Sequence, residues 1–339
     1  MSVATSAMAG SWGFSRHLLY RARRTLITLG RLLAAFVPVF LLGSFFTFLL
    51  GALSGLNPAA LQLGNGASPA AVHAIQKHWG LDRPFFVQYF DWLGKVLSGN
   101  LGKSWVNGNS VSSLLAGRAV ISLSIAGLAL VIGIVAGFAL GALAAHYQST
   151  WVDRCVTIFT STISVMPPFI VGVALIDIFA VSLGWLPAAG FVSFGVGFGP
   201  WLSHVILPAI ALSFDTVADV ARQLRVGLVS AKRQNYVVGA VVSGLSDRRI
   251  FFVHVLRNSV GPSVAVLGLK FPNLLGGAVV TEAIFQLNGY GVFATQSAIQ
   301  GDVPSVQAVL VIAVILVVVF NMLVNAILTQ LIPASSRGI

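Results

Sequence analysis

The chain has 339 residues, of which 57% are hydrophobic and only 9% are charged, and its mean hydropathy is +0.91. A soluble domain of this size could not bury so much apolar surface, so lipid must be its main solvent. The net charge of +11 does not indicate nucleic acid, because the basic residues form no patch interleaved with surface aromatics. The single Cys155 excludes an internal disulfide and a thiolate metal cluster.

Several long apolar stretches predict membrane-spanning helices. A bilayer core of about 30 Å needs roughly 20 apolar residues in a helix, and lipid tolerates only helices or closed barrels. These stretches are too long and continuous for barrel strands. We therefore predict an all-α, polytopic membrane protein with about six transmembrane helices. The expected spans are 32–53, 120–146, 156–183, 202–220, 259–281 and 306–331.

The first part of the chain divides into three regions. Residues 1–30 are rich in arginine and predict a cytoplasmic interfacial segment, with a disordered leader as the alternative. Residues 31–56 are assigned to the first transmembrane helix, and residues 57–115 to an extracytoplasmic segment. In that segment, Ser68 and Pro69 are typical of a helix start, and Gly80 of a helix end.

A second extracytoplasmic helix is expected at 85–97, where five aromatic residues are concentrated: Phe85, Phe86, Tyr89, Phe90 and Trp92. Such a helix either packs at the headgroup level or contacts a partner.

Residues 116–335 predict a core domain with the other five transmembrane helices. In the second span, glycines recur at a spacing that lets helices approach closely: Gly127, Gly133, Gly137 and Gly141. In the third span, Pro167 and Pro168 remove backbone donors and should kink the helix.

Basic residues are distributed unevenly between the two sides of the membrane. When the ends and alternate loops are placed in the cytoplasm, 14 of the 20 Lys and Arg residues lie inside: Arg16, Arg21, Arg23, Arg24, Arg31, Arg154, Arg222, Arg225, Lys232, Arg233, Arg248, Arg249, Arg257 and Arg337. This positive-inside bias predicts a multi-pass protein of the bacterial plasma (inner) membrane with both termini in the cytoplasm.

A cytoplasmic loop at 231–258, between the fourth and fifth spans, differs in character from the rest of the core. It predicts a short helix, a turn at Gly244 and a second helix capped by Ser246. We interpret it as a docking element whose apolar residues could fill a partner's cleft while its basic ends touch the rim. These apolar residues are Val237, Val238, Val241 and Val242.

This loop resembles the EAA loop of ATP-binding-cassette (ABC) importer permeases, in particular of the dipeptide/oligopeptide/nickel permease family. The matching residues are Tyr236, Val237, Ala240, Gly244, Leu245, Arg248, Arg249, His254, Arg257, Asn258 and Pro262. Val241 and Ser243 stand where the family usually has Arg and Lys.

Three further blocks resemble the same family in the expected order. Outside the membrane, residues 80–84 with Gln88 and Tyr89, followed by 99–104, resemble its "GLDRP…QY…GDLGxS" block. Glu282, Phe285, Gly289 and Gly291 resemble "E-x-x-F-x-x-P-G-x-G", and Asp302 with Pro304 resembles "D-x-P". The similarity covers about residues 30–333, so the chain is identified as a first-gene-type permease of this family.

The resemblance implies a type I ABC importer permease fold and a non-enzymatic translocation subunit. Its implied partners are a second permease of the family, two cytoplasmic ATPases and an external solute-binding protein. Cofactors are not expected on this chain, because ATP and Mg belong to the ATPases. The expected cargo is a di- or oligopeptide, with nickel or a metal chelate, an opine or a glycoside as alternatives. ATPase coupling is assigned to Tyr236, Ala240, Gly244, Leu245, Arg248, Arg249 and His254.

Polar residues in or beside the predicted spans are candidates for the transport path, because intramembrane charges are functional by default. Gly277 joins them because it shares a helical face with Lys270. The candidates are Lys270, Asn273, Gly277, Glu282, Asp177, Asp215, Asn321 and Asn325. We expect Lys270 to face the path or the bundle interior and to pair with Asp177 or Asp215, with a packing or snorkelling role as the alternative.

The rival hypothesis is a stand-alone secondary transporter or channel, in which Asp177, Asp215, Asp219 and Lys270 would form an ion relay. Such transporters usually contain repeated halves with matched broken helices, which this sequence lacks, and a docking loop would have no use in them. Co-purification with ATPase and permease partners would distinguish the two.

Overall fold

The computed structural model describes residue 30, residue 34 and residues 36–64 and 66–331. The interfacial segment predicted for the first residues, and the C-terminal Arg337, therefore fall outside the described part of the chain.

The N-terminal part of the described chain consists of one span and three short helices. These are α1 (Phe36–Leu53), α2 (Pro58–Leu63), α3 (Pro69–Trp79) and α4 (Phe85–Leu97). Helix α3 starts as predicted: the Ser68 side chain accepts a hydrogen bond from Ala71 N–H, and Pro69 is the first helical residue. It ends at Gly80, which has a left-handed φ of 73°.

The core contains the remaining helices. They are α5 (Val111–His146), α6 (Trp151–Val165), α7 (Pro168–Leu175) with a π-helical extension (Ile176–Ser182), α8 (Phe198–Lys232), α9 (Asn235–Val242), α10 (Asp247–Arg249), α11 (Arg257–Ile284), α12 (Tyr290–Ile299) and α13 (Val303–Leu331). A π-helical segment, Ile250–Leu256, joins α10 to α11, so that 247–284 form one continuous helix.

Five of these helices are long and apolar enough to cross a membrane: α1, α5, α8, the helix 247–284 and α13. The pair α6 and α7 meets the same test jointly, with a bend of 100° between them. Counting this pair as one broken span gives six spans, which agrees with the prediction. The bend is much sharper than the predicted kink, because Pro167 takes an extended conformation at the start of α7 and breaks the helix.

Helix α8 lies at the centre of the bundle. Of its most apolar 18-residue window, 67% is buried, against 11% for α1 and for α13. Its neighbours α5 and α11 share with it an apolar core that includes Ile125, Leu207, Leu212, Phe271 and Leu274. Most of the surface of α8 is therefore covered within the chain itself.

Three of the four glycines noted in α5 bring that helix against the α8 backbone. A Cβ at Gly133 would lie 2.6 Å from Thr216, and one at Gly137 would lie 2.7 Å from Val220. At Gly141 it would lie 2.6 Å from the carbonyl oxygen of Ala221. Gly127 has no neighbour within 4 Å of its Cβ position. The small-residue pattern therefore serves the α5–α8 interface along 133–141 only.

Helix α4 packs against α1 through aromatic rings. The Tyr89 ring contacts Phe45 and Phe48 edge-on, with centroids 5.6 and 5.8 Å apart, and its hydroxyl lies 3.0 Å from the Ser44 hydroxyl. Phe86 and Phe90, on another face of α4, are each 62% exposed. The aromatic helix thus has one packing face and one open face.

The glycine contacts predict a position-specific cost of added volume in α5. We expect Gly141→Ala to destabilise the bundle by about 1–3 kcal/mol, because the new methyl group meets backbone that cannot rotate away. Gly127→Ala, on the same helix, is the matched control and should leave stability unchanged. The thermal midpoint of each purified variant in detergent measures the difference. Equal midpoints for the two variants would contradict the close contact of α5 with α8.

Candidate functional site

The loop 231–258 contains one short helix, α9, held between the end of α8 and the start of α10. The inward side of α9 packs on an apolar cluster formed by the adjacent ends of α5, α8 and the helix 247–284. From α9 and the turn after it come Val237, Ala240 and Leu245, and the cluster includes Ala145, Leu224, Leu228, Ala231, Ile250 and Val255. This packing fixes the orientation of α9 on the bundle.

Helix α9 ends in a Schellman turn at Gly244, which has a φ of 75°. The Gly244 N–H donates to the Val241 carbonyl at 3.0 Å, and the Leu245 N–H donates to the Ala240 carbonyl at 3.2 Å. A hydrophobic contact between Ala240 and Leu245 accompanies this hydrogen-bond pattern. The positive φ predicted for Gly244 is thus present, and it is the conformation that favours glycine.

The outward side of α9 is an apolar face, here called the docking face: Tyr236, Val238, Val241 and Val242. Val242 is 82% exposed, and Val238 and Val241 are each 57% exposed. Lys232, Arg233, Arg248 and Arg249 are exposed on either side of the helix.

Val237, which was predicted to fill a partner's cleft, lies on the inward side instead, together with Ala240 and Leu245. Val237 packs on the bundle, Ala240 is 8% exposed, and Leu245 contacts the same apolar cluster. A helix that must be held on the bundle needs an apolar inner face as well as an outer one, and eight residues supply both. Ala240 and Leu245 therefore position the docking face rather than form it.

The second helix of the loop was predicted to lie separately on the surface, and this prediction is wrong. The helix continues through residues 250–256 into α11, so His254 lies near the start of the fifth span. His254 is half-buried, and its backbone carbonyl accepts a hydrogen bond from the Asn258 side chain at 2.7 Å. Displacement of α10 would therefore be passed directly to the span.

Arg225 and Asp153 form a bidentate ion pair that joins α8 to α6. Arg225 Nε lies 2.6 Å from Asp153 Oδ1, and an Nη atom lies 2.7 Å from Oδ2. The Asp153 side chain is only 6% exposed and also accepts a hydrogen bond from Ser149 N–H. Sequence reasoning missed this pair, because no local pattern links residues 72 positions apart.

Lys270 lies at the centre of a charge network between α8 and α11. Its Nζ atom is 2.7 Å from Asp215 Oδ2 and 2.6 Å from Asp219 Oδ2. Asp219 also accepts a hydrogen bond from Arg222 at 3.2 Å. Of the two pairings predicted for Lys270, the one with Asp215 is confirmed. The pairing with Asp177 is wrong, because Asp177 is exposed on the extension of α7 and forms no ion pair within the described residues.

Glu282 is completely buried, although it was predicted to line the path. The Ser122 hydroxyl donates to Glu282 Oε1, and Val292 N–H donates to Oε2 at 3.0 Å. Val292 is in the first turn of α12, so the carboxylate caps that helix from a neighbouring one. Gly289 lies against the carboxylate where a Cβ would clash. The observed contacts are those of a structural anchor.

Tyr290, the first residue of α12, adds two hydrogen bonds to the anchor that Glu282 forms. Its N–H donates to the Ser122 hydroxyl at 2.8 Å, and its phenol donates to the Val309 carbonyl at 2.8 Å. Burial, with a smaller contribution from the Glu282 carboxylate, raises the pKa of the Tyr290 phenol above its usual value. The hydroxyl therefore stays protonated and keeps its role as a donor.

A second buried carboxylate, Asp302, joins two of the sequence blocks that resemble the family. Ser104 Oγ donates to Asp302 Oδ2 at 2.5 Å, and Trp105 N–H donates to Oδ1 at 3.0 Å. Ser305 Oγ, in the first turn of α13, donates to Oδ2 at 2.7 Å. The "GDLGxS"-like and "D-x-P"-like blocks are thus two halves of one contact.

The other predicted path residues occupy different environments. Asn273 is exposed, Gly277 and Asn325 are half-buried, and Asn321 lies between α13 and α11, where its amide reaches the Gly268 carbonyl at 3.5 Å. Their assignment to the path stays a prediction. Within the described residues, no group of three His, Cys, Asp or Glu side chains is arranged to hold a metal ion.

Comparison with known proteins identifies the class. Residues 133–337 match the family described as "Binding-protein-dependent transport system inner membrane component", and residues 24–126 match the family described as its N-terminal component. The chain belongs to this family of multi-pass inner-membrane proteins, and it is a permease subunit of an ABC importer. The family therefore favours the importer hypothesis over a stand-alone transporter.

Curated relatives resemble the chain over nearly its whole length. It is 33% identical over 303 residues to the "Probable peptide ABC transporter permease protein y4tP" of Sinorhizobium fredii, covering 89% of this chain and 97% of the relative. It is 31% identical to the "Oligopeptide transport system permease protein AppB" of Bacillus subtilis, with 90% and 95% covered. The "Glutathione transport system permease protein GsiC" of Escherichia coli is 31% identical, with 89% and 96% covered.

A solved structure confirms the fold. The chain aligns with the permease of the MetNI methionine ABC transporter in an inward-facing conformation, with a TM-score of 0.54 at 17% identity. The alignment covers 66% of this chain and 98% of that chain. The core is therefore the type I importer permease bundle.

The burial of Glu282 predicts a loss of stability when its acceptor role is weakened. In Glu282→Gln, one acceptor oxygen becomes a donor opposite Val292 N–H or Ser122, so we expect a loss of about 1–3 kcal/mol. The thermal midpoint of the purified protein is the measurement. Asp177→Asn, at an exposed carboxylate without an ion-pair partner in the described chain, is the control and should not change it. A normal thermal midpoint combined with lost transport would contradict the structural role and support the assignment of Glu282 to the transport path.

Proposed function

We propose that this chain imports short peptides as one of two permease subunits of an ABC importer, and that the docking face of α9 transmits the ATPase movement to the bundle. In this proposal two cytoplasmic ATPases drive the complex, and an external solute-binding protein delivers the cargo. ATP and Mg bind to the ATPases. Both termini and the loop 231–258 lie in the cytoplasm, while 57–115 and 283–301 lie outside.

The exposed docking face is the observation that supports coupling. Three valines with more than half of their surface exposed stand on a helix whose other side is fixed to the bundle. An amphipathic helix of this kind can insert into a groove of a partner, and the basic residues beside it can meet an acidic rim. Because α10 and α11 are continuous, closure of the ATPases would move the fifth span together with the loop.

The relatives support the peptide cargo. Their names refer to peptides, oligopeptides and glutathione, and glutathione is itself a tripeptide. Nickel or a metal chelate, an opine or a glycoside would require a different solute-binding protein. ATP-dependent uptake of a labelled dipeptide into proteoliposomes containing the complex and its binding protein tests the cargo.

The positive-inside bias, together with two exposed positions, predicts the orientation in the membrane. In a Cys155→Ser background, a membrane-impermeant thiol reagent added to intact spheroplasts should label Asn107→Cys and spare Ser246→Cys. Both positions are exposed in the structure, so a difference in labelling reports the side and not burial. Labelling of Ser246→Cys but not of Asn107→Cys would reverse the orientation.

The turn after α9 predicts where coupling is most easily lost. We expect Gly244→Ala to destabilise the Schellman turn by about 1 kcal/mol or more, because only glycine adopts the left-handed conformation without steric cost. Cargo-stimulated ATP hydrolysis of the reconstituted complex should fall several-fold, while insertion and assembly with the second permease stay normal.

Gly239→Ala is the matched control for this variant. Like Gly244, Gly239 is exposed and has no neighbour near its Cβ position. Unlike Gly244, it lies within α9 and has an ordinary helical φ. Alanine at position 239 should therefore strengthen the helix. ATPase stimulation should therefore be retained or increased. Normal coupling in Gly244→Ala would remove the mechanical support for α9 as the coupling helix.

A further inference from the structure

The charge network between α8 and α11 lies within the fourth and fifth predicted spans. Asp215 is five residues from the end of the span predicted at 202–220, and Lys270 is in the middle of the span predicted at 259–281. At a rise of about 1.5 Å per residue, five residues correspond to about 7.5 Å, which the short Asp215 side chain cannot cross to reach the headgroups. Lys270 does not snorkel, because its Nζ atom is held between Asp215 and Asp219.

The network has a protected cation and an accessible anion. The Lys270 side chain is 13% exposed, whereas the Asp215 side chain is 45% exposed. Asp215 uses only Oδ2 to bind Lys270, and its second oxygen makes no hydrogen bond to any described residue. Asp219 is engaged on both sides, by Lys270 and by Arg222. The open end of the network is thus a carboxylate.

Lipid cannot be the environment of this carboxylate. An acidic side chain facing hydrocarbon is unfavourable, by up to roughly 3 kcal/mol at the centre of a span. The exposed side of Asp215 must therefore face either a water-filled path or the second permease subunit. Asn273, three residues after Lys270 on α11, is also exposed, which extends the polar surface along the adjacent helix.

We propose that Asp215 faces the translocation path and gives it a preference for cations, so that it contacts the amino group of the cargo during passage. Lys270 is a positioning residue: it holds Asp215 and Asp219 between the helices and keeps the exposed end negative. This inference rests on the proposed function, in which the cargo is a short peptide with a positively charged N-terminus. It makes Asp215 a specificity-determining residue of the permease itself, separate from the binding protein.

The test measures local charge in the assembled complex with a thiol at Asn273. In the Cys155→Ser background, Asn273→Cys is treated with a cationic and with an anionic methanethiosulfonate reagent of similar size. We expect both to react and the cationic reagent to react faster. Asp215→Asn should lower the ratio of the two rates about fourfold to tenfold, the effect of one charge roughly 6–10 Å away in water.

Two variants and a salt series control this measurement. Asp215→Glu should keep the ratio, and Asp82→Asn, which removes an exposed extracytoplasmic carboxylate, should not change it. If Asp215→Asn fails to assemble, the parent Asn273→Cys still tests the proposal, because high salt should screen the charge and lower the ratio. Absence of reaction with either reagent would place this surface against the second permease and overturn the proposal. A ratio that is insensitive both to Asp215→Asn and to salt would overturn it as well.

A cargo experiment links the residue to the substrate. A dipeptide with a free amino group should slow the modification of Asn273→Cys, whereas its N-acetylated form should not, and Asp215→Asn should abolish this difference. Equal protection by both peptides would refute the contact with the amino group. If the wild-type complex imports no peptide while the reagent ratio behaves as expected, the cargo assignment fails and the cation preference stands.

Discussion

Contact between the backbones of α5 and α8 allows α8 to occupy the centre of the bundle, and the other functional features are attached to this helix. Gly137 and Gly141 remove the side chains that would otherwise separate the two helices. The cytoplasmic end of α8 leads into α9, its middle carries Asp215, and Arg225 ties it to α6. In lipid, where apolar surface provides little drive for helix association, such close packing is a main source of stability.

At the starts of α12 and α13, buried carboxylates hold the chain in place, as apolar packing does elsewhere in the bundle. Glu282 caps α12, and Asp302 joins the 104–105 loop to the first turn of α13. Each places a negative group at the N-terminus of a helix, where unpaired N–H groups and the helix dipole favour it. Hydroxyl and backbone donors around each carboxylate compensate for the loss of water. These contacts fix the chain segments that precede α12 and α13.

In the loop 231–258, helix α9 must be both rigidly held and accessible to a partner. Helix α9 achieves this with eight residues: its inner face is fixed by Val237 and Ala240, and its outer face presents Val238, Val241 and Val242. The Schellman turn at Gly244 then sends the chain directly into the continuous helix 247–284. A force applied to the docking face can therefore pass along one continuous helix to Lys270 and to the charge network between α8 and α11.

Composition and hydrophobic run length predicted a helical membrane protein and its number of spans, because lipid imposes helix length. The side of the membrane assigned to the loop 231–258 from the excess of positive charge stays a prediction. Local rules also predicted the Ser68–Pro69 start of α3 and the positive φ of Gly244, since these depend only on neighbouring residues. Such local rules could not predict the partners of buried charges. Asp153 with Arg225 and Ser104 with Asp302 are 72 and 198 positions apart, and only the packed bundle brings them together. The same limit applies to Glu282 and Asp215. Both are acidic side chains in predicted spans, and the tertiary structure alone decided that one is enclosed by donors while the other stays exposed.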